Sequence, residues 1–201
     1  MTAEFWKIIF ERHSIRRYLN QSVSLSILEK IIRTAARAPS AHNNQPWHFV
    51  VITSPEIKDQ LAQKIAARYD QYMTAQGIPC YTRKKRIQSS ITHFKDVPVI
   101  IIPFLVNKLR DKKRSESNEK LEVVMDIQSV AVAAGNLLLA ATASGLGACW
   151  YAGPLFCSKI VTSCLHVDDA WRPQALITLG YPDEIPRPKE KKPSKEIMSC
   201  V

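Results

Sequence analysis

Apolar residues near the N-terminus recur with helical spacing and predict two helices. The first is a short helix over 5–10, whose polar end lies at 12–14. The second places its apolar residues on one side, at Leu28, Ile31, Ile32, Ala35 and Ala36. Ser26 and Glu29 have the spacing of a capping box, so this helix is expected to begin near Ser26 or a few residues earlier, and Pro39 is expected to end it.

Runs rich in apolar and β-branched residues predict four strands, at 48–53, 97–106, 147–152 and 175–181. Further helices are predicted from Ser54 onward, at 82–92, at 124–143 and at 158–165. In the helix that follows Ser54, the residues expected to face inward are Ile57, Leu61, Ile65 and Ala66. Helices and strands without regular βαβ alternation predict an α+β fold.

The predicted strand at 97–106 is almost wholly apolar, which is typical of a central strand in a sheet. Pro98 and Pro103 are awkward for such a position, because proline cannot donate a hydrogen bond to a neighbouring strand. The sequence therefore predicts a central strand that has to accommodate two prolines.

The stretch 127–158 contains no charged residue, and the overlapping helix at 124–143 is apolar on every face. Such a helix is buried, either in a core or against a partner chain. Glycine and polar residues interrupt the stretch, so it is not expected to span a membrane, which requires about 20 continuous apolar residues. The polar segment 107–122 predicts a flexible excursion, and 183–201 predicts an extended tail of a single domain over 1–201.

Charge adds a preference for anionic partners. The chain has 201 residues, of which 46% are hydrophobic and 23% charged, and its net charge is +10. This excess favours nucleic acid, a membrane surface or a phosphorylated small molecule. A nucleic-acid-binding module would interleave basic residues with exposed aromatic ones, but the basic runs 108–120 and 187–195 are low in aromatics. We therefore expect neither a nucleic-acid nor a membrane partner.

Cysteine and histidine spacing gives no sign of a metal site. The five cysteines form no CxxC pair, and no histidine pattern typical of a metal ligand set occurs. Buried free thiols in a reducing compartment are the expected state. The N-terminus lacks the long apolar core of a signal peptide, so the cytoplasm is expected.

Three polar or glycine-rich clusters could carry chemistry. At 12–17, arginine side chains and a hydroxyl within one turn suit a phosphate group, although a solvated basic helix end has the same composition. At 39–47, consecutive amides and hydroxyls suit the edge of a heterocycle, although a polar loop would also contain them. At 145–154, small residues allow a flat ligand to approach the backbone, although close helix–strand packing explains them equally well.

These clusters, in this order and spacing, resemble the FMN-dependent nitroreductase family. The family's opening signature is carried by 12–18 and 38–49, its central helix and next strand by 135–147, and its C-terminal end by 179–182 with the following Pro188 and 189–193. The resemblance covers nearly the whole chain. Within the family, 155–157 and 171–176 are most similar to the nitroreductase-like domain associated with ligases of the deazaflavin coenzyme.

The resemblance implies an FMN phosphate site built from both ends of the chain. Arg12, Ser14 and Arg16, with the backbone of His13, would hold the phosphate and the ribityl chain. Lys189 and Lys191 from the tail would complete the phosphate site.

The resemblance also implies which residues surround the flavin ring. Pro39, Ser40 and Ala41 would pass along the ring, while Asn43 and Gln45, which many relatives supply from the partner subunit, would address the ring and the ribityl chain. Tyr151, Ala152 and Gly153 would line the flavin face near N5. Many relatives have glycines where Ala41 and His42 stand, so His42 is expected to narrow the pocket or to contact substrate.

For the whole protein, the resemblance implies a mixed central sheet flanked by helices and a homodimer with two interfacial FMN sites, the helix 124–143 lying in the dimer core. NADH or NADPH would reduce FMN and leave before the acceptor enters, which is ping-pong catalysis. Nitroaromatic, quinone or related conjugated compounds are the implied small-molecule electron acceptors. The alternative is a flavin- or deazaflavin-coenzyme-related redox or binding domain. No side chain can be assigned as the catalytic acid.

Overall fold

Five strands form the central sheet of the chain, which the computed structural model describes over residues 2–106, 116–186 and 190–201. The strands are β1 (Trp47–Ile52), β2 (Val99–Leu105), β3 (Gly147–Tyr151), β4 (Arg172–Pro173) and β5 (Leu176–Gly180). Their order is β1-β2-β5-β3, and the short β4 pairs with the end of β2. All four predicted strands are confirmed with ends shifted by one or two residues, whereas the two residues of β4 are too few to form a recognisable pattern.

Every ladder between the described strands is antiparallel, so the prediction of a mixed sheet is wrong. Two consecutive helices separate β1 from β2 in the sequence, and β2 returns antiparallel to β1. β2 and β3 run in the same direction, but β5 lies between them and is antiparallel to both. A parallel contact does occur as an isolated bridge between Ser14 and Ala148.

Pro103 lies in β2 at a place where its missing N–H costs little. β2 pairs with β5 at Val99–Ile101 and with β4 at Phe104 and Leu105, so Pro103 falls between these two ladders. Its carbonyl accepts a hydrogen bond from the backbone N–H of Gln174 over 2.8 Å. A residue in an antiparallel strand directs its N–H and C=O to the same side of the strand. The N–H that proline lacks would therefore point into the gap between these two ladders. The strand is therefore central, as predicted.

The described residues also contain seven α-helices. They are α1 (Thr2–Glu11), α2 (Leu25–Ala35), α3 (Pro55–Ala75), α4 (Cys80–Asp96), α5 (Glu116–Ala143), α6 (Ser158–Leu165) and α7 (Ser194–Ile197). Ser24 rather than Ser26 caps α2, because the Ser24 hydroxyl accepts from the backbone N–H of Ile27 over 3.4 Å. Ser54 caps α3, as predicted, but Ile57 is 36% exposed instead of facing the core.

Part of the predicted excursion at 107–122 is helical. Helix α5 begins at Glu116, so the prediction is wrong for 116–122, while 107–115 lie outside the described residues. Glutamate and lysine have high helix propensity. Leu121 is 63% exposed, and an exposed helical turn needs no apolar periodicity. The predicted extended tail likewise contains the short α7, and its residues 187–189 lie outside the described residues.

Two helical layers pack on opposite faces of the sheet, because β2 is apolar and buried at every position. Val99 and Ile101 belong to the core beneath α2 and α5. Ile100, Ile102 and Phe104 belong to the core beneath α3, α4 and α6. This alternation follows from the two-residue period of a strand. β3 is the last strand of the sheet, and it too lies between the two helical layers.

Within the described residues, helix α5 buries only one of its sides. The side against α2 and the sheet contains the fully buried Val130, Ala133, Ala134, Leu137 and Ala141. The segment Lys120–Ala143 is long and apolar enough, by length and composition alone, to cross a membrane, and 33% of an 18-residue window within it is buried. Its other side exposes Val124, Ile127 and Val132. The predicted burial is therefore confirmed for one side, and the apolar opposite side is not covered by the described part of the chain.

Candidate functional site

Strand β3 is the last strand of the sheet, and its outer edge is approached by the segment that follows α1. The Ile15 N–H donates to the Ala148 carbonyl over 3.0 Å. Gly147 permits this approach, because a Cβ atom there would lie 2.7 Å from the Ile15 side chain. Hydrogen bonding alternates along a strand, so the backbone groups of Trp150, like those of Ala148, are directed away from β5. The edge thus presents backbone donors and acceptors close to Ser14.

Basic side chains line a cleft of about 650 Å³ where this segment meets the C-terminal part of the chain. Five residues predicted for the phosphate site line it together, namely Arg12, His13, Ser14, Arg16 and Lys191. Its other lining residues are Ile9, Phe10, Arg17, Glu184, Ile185 and Pro186. Lys189 lies outside the described residues. The structure therefore brings the two ends of the chain together as the sequence predicts.

Glu184 is a member of this cleft that the sequence did not indicate. Its carboxylate accepts hydrogen bonds from the backbone N–H groups of Arg16 and Arg17, the latter over 3.1 Å, and lies 3.5 Å from the Arg17 Nε. These interactions hold the pKa of Glu184 below its usual value, and the hydrogen bond from the Arg16 N–H has the largest effect. The Asp183 N–H also donates to the Arg17 carbonyl over 2.9 Å, so the start of the tail is fastened to the basic segment.

An apolar groove of about 570 Å³ continues from the basic cleft, and Arg12 and Ser14 line both. The remaining lining residues come from one side of α5 and from β3, and they are Val132, Gly135, Asn136, Leu138, Leu139, Ala148 and Trp150. A cationic end joined to an apolar groove matches the chemistry of a ligand that carries a flat ring system and a phosphate.

The loop that precedes β1 has a strained backbone. His42, Asn43 and Gln45 have φ angles of 54°, 53° and 48°, in the left-handed region that residues with a Cβ atom rarely adopt. The Ser40 hydroxyl accepts from the Gln45 N–H over 3.0 Å and holds the loop in this shape. Strain of this kind, about 1 kcal/mol or more for each residue, persists where the surroundings enforce it and is frequent at ligand sites.

Within one chain this loop lies along α5 and not among the residues that line the basic cleft. The Ala41 N–H donates to the Ser129 hydroxyl over 3.4 Å, which places the loop beside the N-terminal half of α5. Pro39, Asn43 and Gln45 are exposed. The five predicted ring contacts, Pro39, Ser40, Ala41, Asn43 and Gln45, are thus grouped on one surface, and their role toward a ring stays a prediction.

The third predicted group lines a separate aromatic cavity of about 350 Å³ on the other side of β3. Tyr151, Ala152 and Gly153 form one wall. The other lining residues come from α3, α4 and the turn before α6, and they are Ile65, Arg68, Tyr69, Tyr72, Ser90, Phe94, Phe156 and Cys157. The alternation along β3 explains this split, because Trp150 faces the groove and Tyr151 faces the aromatic cavity.

His93 contacts Tyr151 at the edge of this cavity, and it is a second residue that the sequence did not indicate. The Tyr151 hydroxyl lies 2.6 Å from the His93 Nε2. Burial, and then the positive charge of Arg16, lowers the pKa of His93, and burial raises the pKa of Tyr151. The imidazole is therefore neutral and the phenol protonated at neutral pH, a pair that can hold a proton beside the cavity.

Comparison with known proteins places this fold and these clusters in one family. The model of the nitroreductase family matches residues 9–181, which is most of the chain. The chain belongs to the nitroreductase family. Enzymes of this family are flavin-dependent oxidoreductases, so the general class of the chain follows from its membership. The more specific similarity to the domain of deazaflavin-coenzyme ligases stays a prediction.

Three relatives indicate how far the similarity extends. An iodotyrosine deiodinase of Haliscomenobacter hydrossis is 30% identical over 188 residues, which cover 91% of this chain and 81% of that protein. A putative NAD(P)H nitroreductase, YfhC of Bacillus subtilis, is 26% identical over 94% of this chain and 90% of its own length. The crystal structure of a putative nitroreductase of Desulfovibrio desulfuricans, solved in complex with FMN, is 26% identical with a TM-score of 0.69 and covers 96% of this chain and 94% of that one.

Proposed function

We propose that this nitroreductase-family chain binds FMN and uses NADH or NADPH to reduce nitroaromatic, quinone or related conjugated acceptors. The observation that carries the proposal is the convergence of Arg12, Ser14, Arg16 and Lys191 on one cleft at the open edge of β3. The FMN complex of the Desulfovibrio relative supports the cofactor, and the similarity to the NAD(P)H nitroreductase of Bacillus supports the reductant.

The donors in the basic cleft fit a phosphate dianion. Among the described residues that line it, four side chains are cationic, those of Arg12, Arg16, Arg17 and Lys191, and one is a carboxylate, that of Glu184. Guanidinium groups hold phosphate through two donors at once, which fixes its orientation as well as its position. The surplus of positive charge remains after Glu184 is counted, so the cleft favours a phosphate over a neutral ligand end.

The surroundings of the cleft fit the rest of FMN. The apolar groove lined by Leu139 and Trp150 would exclude water from a ring system, and the outward-facing backbone of β3 offers partners for the heteroatoms at a ring edge. When bound, FMN would supply the two-electron redox chemistry, while the protein supplies binding, orientation and electrostatics.

The overall reaction needs a proton in addition to the reductant. Reduction of a quinone consumes one NAD(P)H and one proton and yields NAD(P)⁺ and the hydroquinone. The Tyr151–His93 pair does not fit this role, because burial raises the pKa of Tyr151 and the pair lies on the other side of β3 from the groove, so no side chain is assigned as the proton donor.

A homodimer is part of the proposal. The uncovered side of α5 exposes Val124, Ile127 and Val132, and the neighbouring α1 exposes Trp6 and Phe10 by 52% and 75%. Exposed apolar residues on two neighbouring helices favour association with another chain. A second copy placed on α5 could bring its strained 39–45 loop to the groove that also lies on α5.

The decisive test is the identity of the bound cofactor and what it drives. The purified protein should be yellow and should release FMN, not FAD, at about one per chain. Riboflavin, which lacks the phosphate, should bind more weakly than FMN to the apo-protein, and NADH or NADPH should be oxidised when menadione is added. A colourless protein that takes up no FMN would contradict the proposal.

Reductive dehalogenation is a second candidate, favoured by the similarity to iodotyrosine deiodinase at 30% identity. In that reaction one NAD(P)H and an aryl iodide yield the arene, iodide and NAD(P)⁺. Iodide release from iodotyrosine, measured beside menadione reduction with the same preparation, separates the two candidates. The deazaflavin-related alternative stays a prediction, and the absorption spectrum of the cofactor that the protein releases distinguishes it from FMN.

A further inference from the structure

Glu184 contacts the backbone of the basic segment more closely than its side chains. One carboxylate oxygen, Oε1, accepts hydrogen bonds from the N–H groups of both Arg16 and Arg17. The other oxygen, Oε2, lies 3.5 Å from the Arg17 Nε, but the Arg17 side chain is 74% exposed, so this ion pair contributes little. The shared acceptor for two consecutive backbone N–H groups is therefore the main interaction of Glu184.

Backbone hydrogen bonds fasten the basic segment on either side of Arg16. The Ile15 N–H donates to the Ala148 carbonyl over 3.0 Å, and the Leu19 N–H donates to the Tyr181 carbonyl over 2.9 Å. Between these two anchors, no backbone carbonyl of the described residues accepts from the N–H of Arg16. The position of the backbone at Arg16 therefore depends on the side chain of Glu184.

The negative charge of Glu184 acts against an anionic ligand. Glu184 lines the same cleft as Arg12, Arg16 and Lys191, and its lowered pKa keeps it ionised at neutral pH. A carboxylate near a phosphate site repels the phosphate. Repulsion of the ligand and support of the arginine backbone are therefore opposite effects of one side chain. Glutamine separates them, because its carbonyl oxygen can accept from both N–H groups without the charge.

We propose that Glu184 is a positioning residue of the phosphate site, which holds the backbone at Arg16 and Arg17 so that the Arg16 guanidinium stays in the cleft beside Ser14. The Arg16 Nη1 donates to the Ser14 carbonyl over 3.5 Å. Arg16 and Arg17 are both exposed, so water can replace the carboxylate when it is removed. Removal should therefore affect phosphate affinity more than folding. This inference rests on the proposed function, because the phosphate is that of FMN.

The test titrates FMN and riboflavin into the apo-proteins of Glu184→Ala and Glu184→Gln. Glu184→Ala should weaken FMN binding by roughly fivefold to tenfold, the range for the loss of about one hydrogen bond, and should hardly change the binding of riboflavin, which has no phosphate. Glu184→Gln keeps the acceptor oxygen, so it should bind FMN at least as tightly as wild type. Glu196→Ala, at an exposed position on α7 outside the cleft, removes the same charge and should bind both flavins as wild type does.

Four results would overturn the inference. Equal FMN affinities of wild type and Glu184→Ala would mean that the contact has no effect on the site. Equal losses for FMN and riboflavin would indicate a general structural role. Tighter FMN binding by Glu184→Ala would show that repulsion outweighs positioning. A loss in Glu184→Gln as large as in Glu184→Ala would show that the acceptor oxygen is not what matters.

Inorganic phosphate provides a readout that does not depend on flavin. Added to the apo-proteins at constant ionic strength, it should raise the midpoint of thermal unfolding of wild type and Glu184→Gln more than that of Glu184→Ala, because a ligand of the folded state stabilises it. If wild type takes up no FMN, the proposed function is wrong, and the phosphate comparison alone decides the inference. The same order of the three proteins would support it, and equal shifts would overturn it.

Discussion

The Tyr151 hydroxyl lies 2.6 Å from the Nε2 of His93, and this contact joins the end of β3 to α4 at the edge of the aromatic cavity. Burial lowers the pKa of His93, with a further contribution from the charge of Arg16. The folded protein therefore favours the neutral form of the His93 imidazole, and this makes the free energy of unfolding depend on pH.

The sign of this dependence follows from proton linkage. Because the folded pKa of His93 is below 6.5, the unfolded chain binds more protons as the pH falls below that value, and stability is lost. The free energy of unfolding should decrease as the pH is lowered from 7.5 to 5.5. This window lies above the pH range in which carboxylates titrate. His93→Gln should flatten this slope in urea unfolding, whereas His48→Gln on the exposed part of β1 should keep it. A slope in His93→Gln as steep as in wild type would show that another group causes it.

The strain at His42 gives a prediction that separates backbone conformation from side-chain contacts. At a φ of 54°, glycine avoids the Cβ penalty that alanine retains. His42→Gly should therefore be more stable than His42→Ala by about 0.5–1 kcal/mol, because the larger entropy of glycine in the unfolded chain offsets only part of the left-handed penalty that alanine retains. Equal stabilities of the two variants in chemical denaturation would mean that the loop does not hold this conformation in solution.

Gly147 should be sensitive to the smallest substitution. A Cβ atom there would lie 2.7 Å from Ile15, so Gly147→Ala has to push the segment containing Ser14 away from β3. We expect a loss of about 1–3 kcal/mol in the free energy of unfolding, the range for overpacking, together with weaker FMN binding. Thermal unfolding and flavin titration measure the two effects. A variant with wild-type values for both would show that the segment does not depend on this contact.

The apolar side of α5 predicts a dimer that a charge can disrupt. Light scattering should give twice the mass of one chain at micromolar concentration, and Ile127→Glu should shift the protein toward the monomer because it places a charge in the interface. Tyr81→Glu, at an 80% exposed position on α4, is the matched control and should leave the mass unchanged. A folded wild-type monomer that is saturated with FMN would contradict the proposed assembly.

The sequence predicted most of the fold because local signals were strong. Helix α6 has the predicted bounds, and Ser54 caps α3 as its position before Pro55 suggests. The first turns of α5 were mistaken for a loop because 116–122 is polar and shows no apolar period. The antiparallel sheet could not be derived from the order of elements, because it depends on β5 entering between β2 and β3.

The candidate site was predictable in its residues but less so in its grouping. Arg12 and Lys191 lie far apart in the sequence, and only the resemblance connected them before the structure placed both in one cleft. Glu184 and His93 carry no local signal, because each is defined by a partner distant in the chain, namely Arg16 and Tyr151. The opposite orientations of Trp150 and Tyr151 follow from strand geometry once the bounds of β3 are known.

The central claim is that the 12–17 segment binds the phosphate of FMN, and titration of the apo-protein with FMN, followed by flavin fluorescence, tests it most directly. Arg16→Ala should weaken FMN binding by about 1.5–3 kcal/mol, the range for losing hydrogen bonds to a charged group. Riboflavin binding should change less, because it lacks the phosphate. Arg86→Ala, at an exposed position on α4 outside the cleft, should bind FMN as wild type does. Equal dissociation constants for FMN in wild type and Arg16→Ala would contradict the claim and leave the 12–17 segment as a solvated basic helix end.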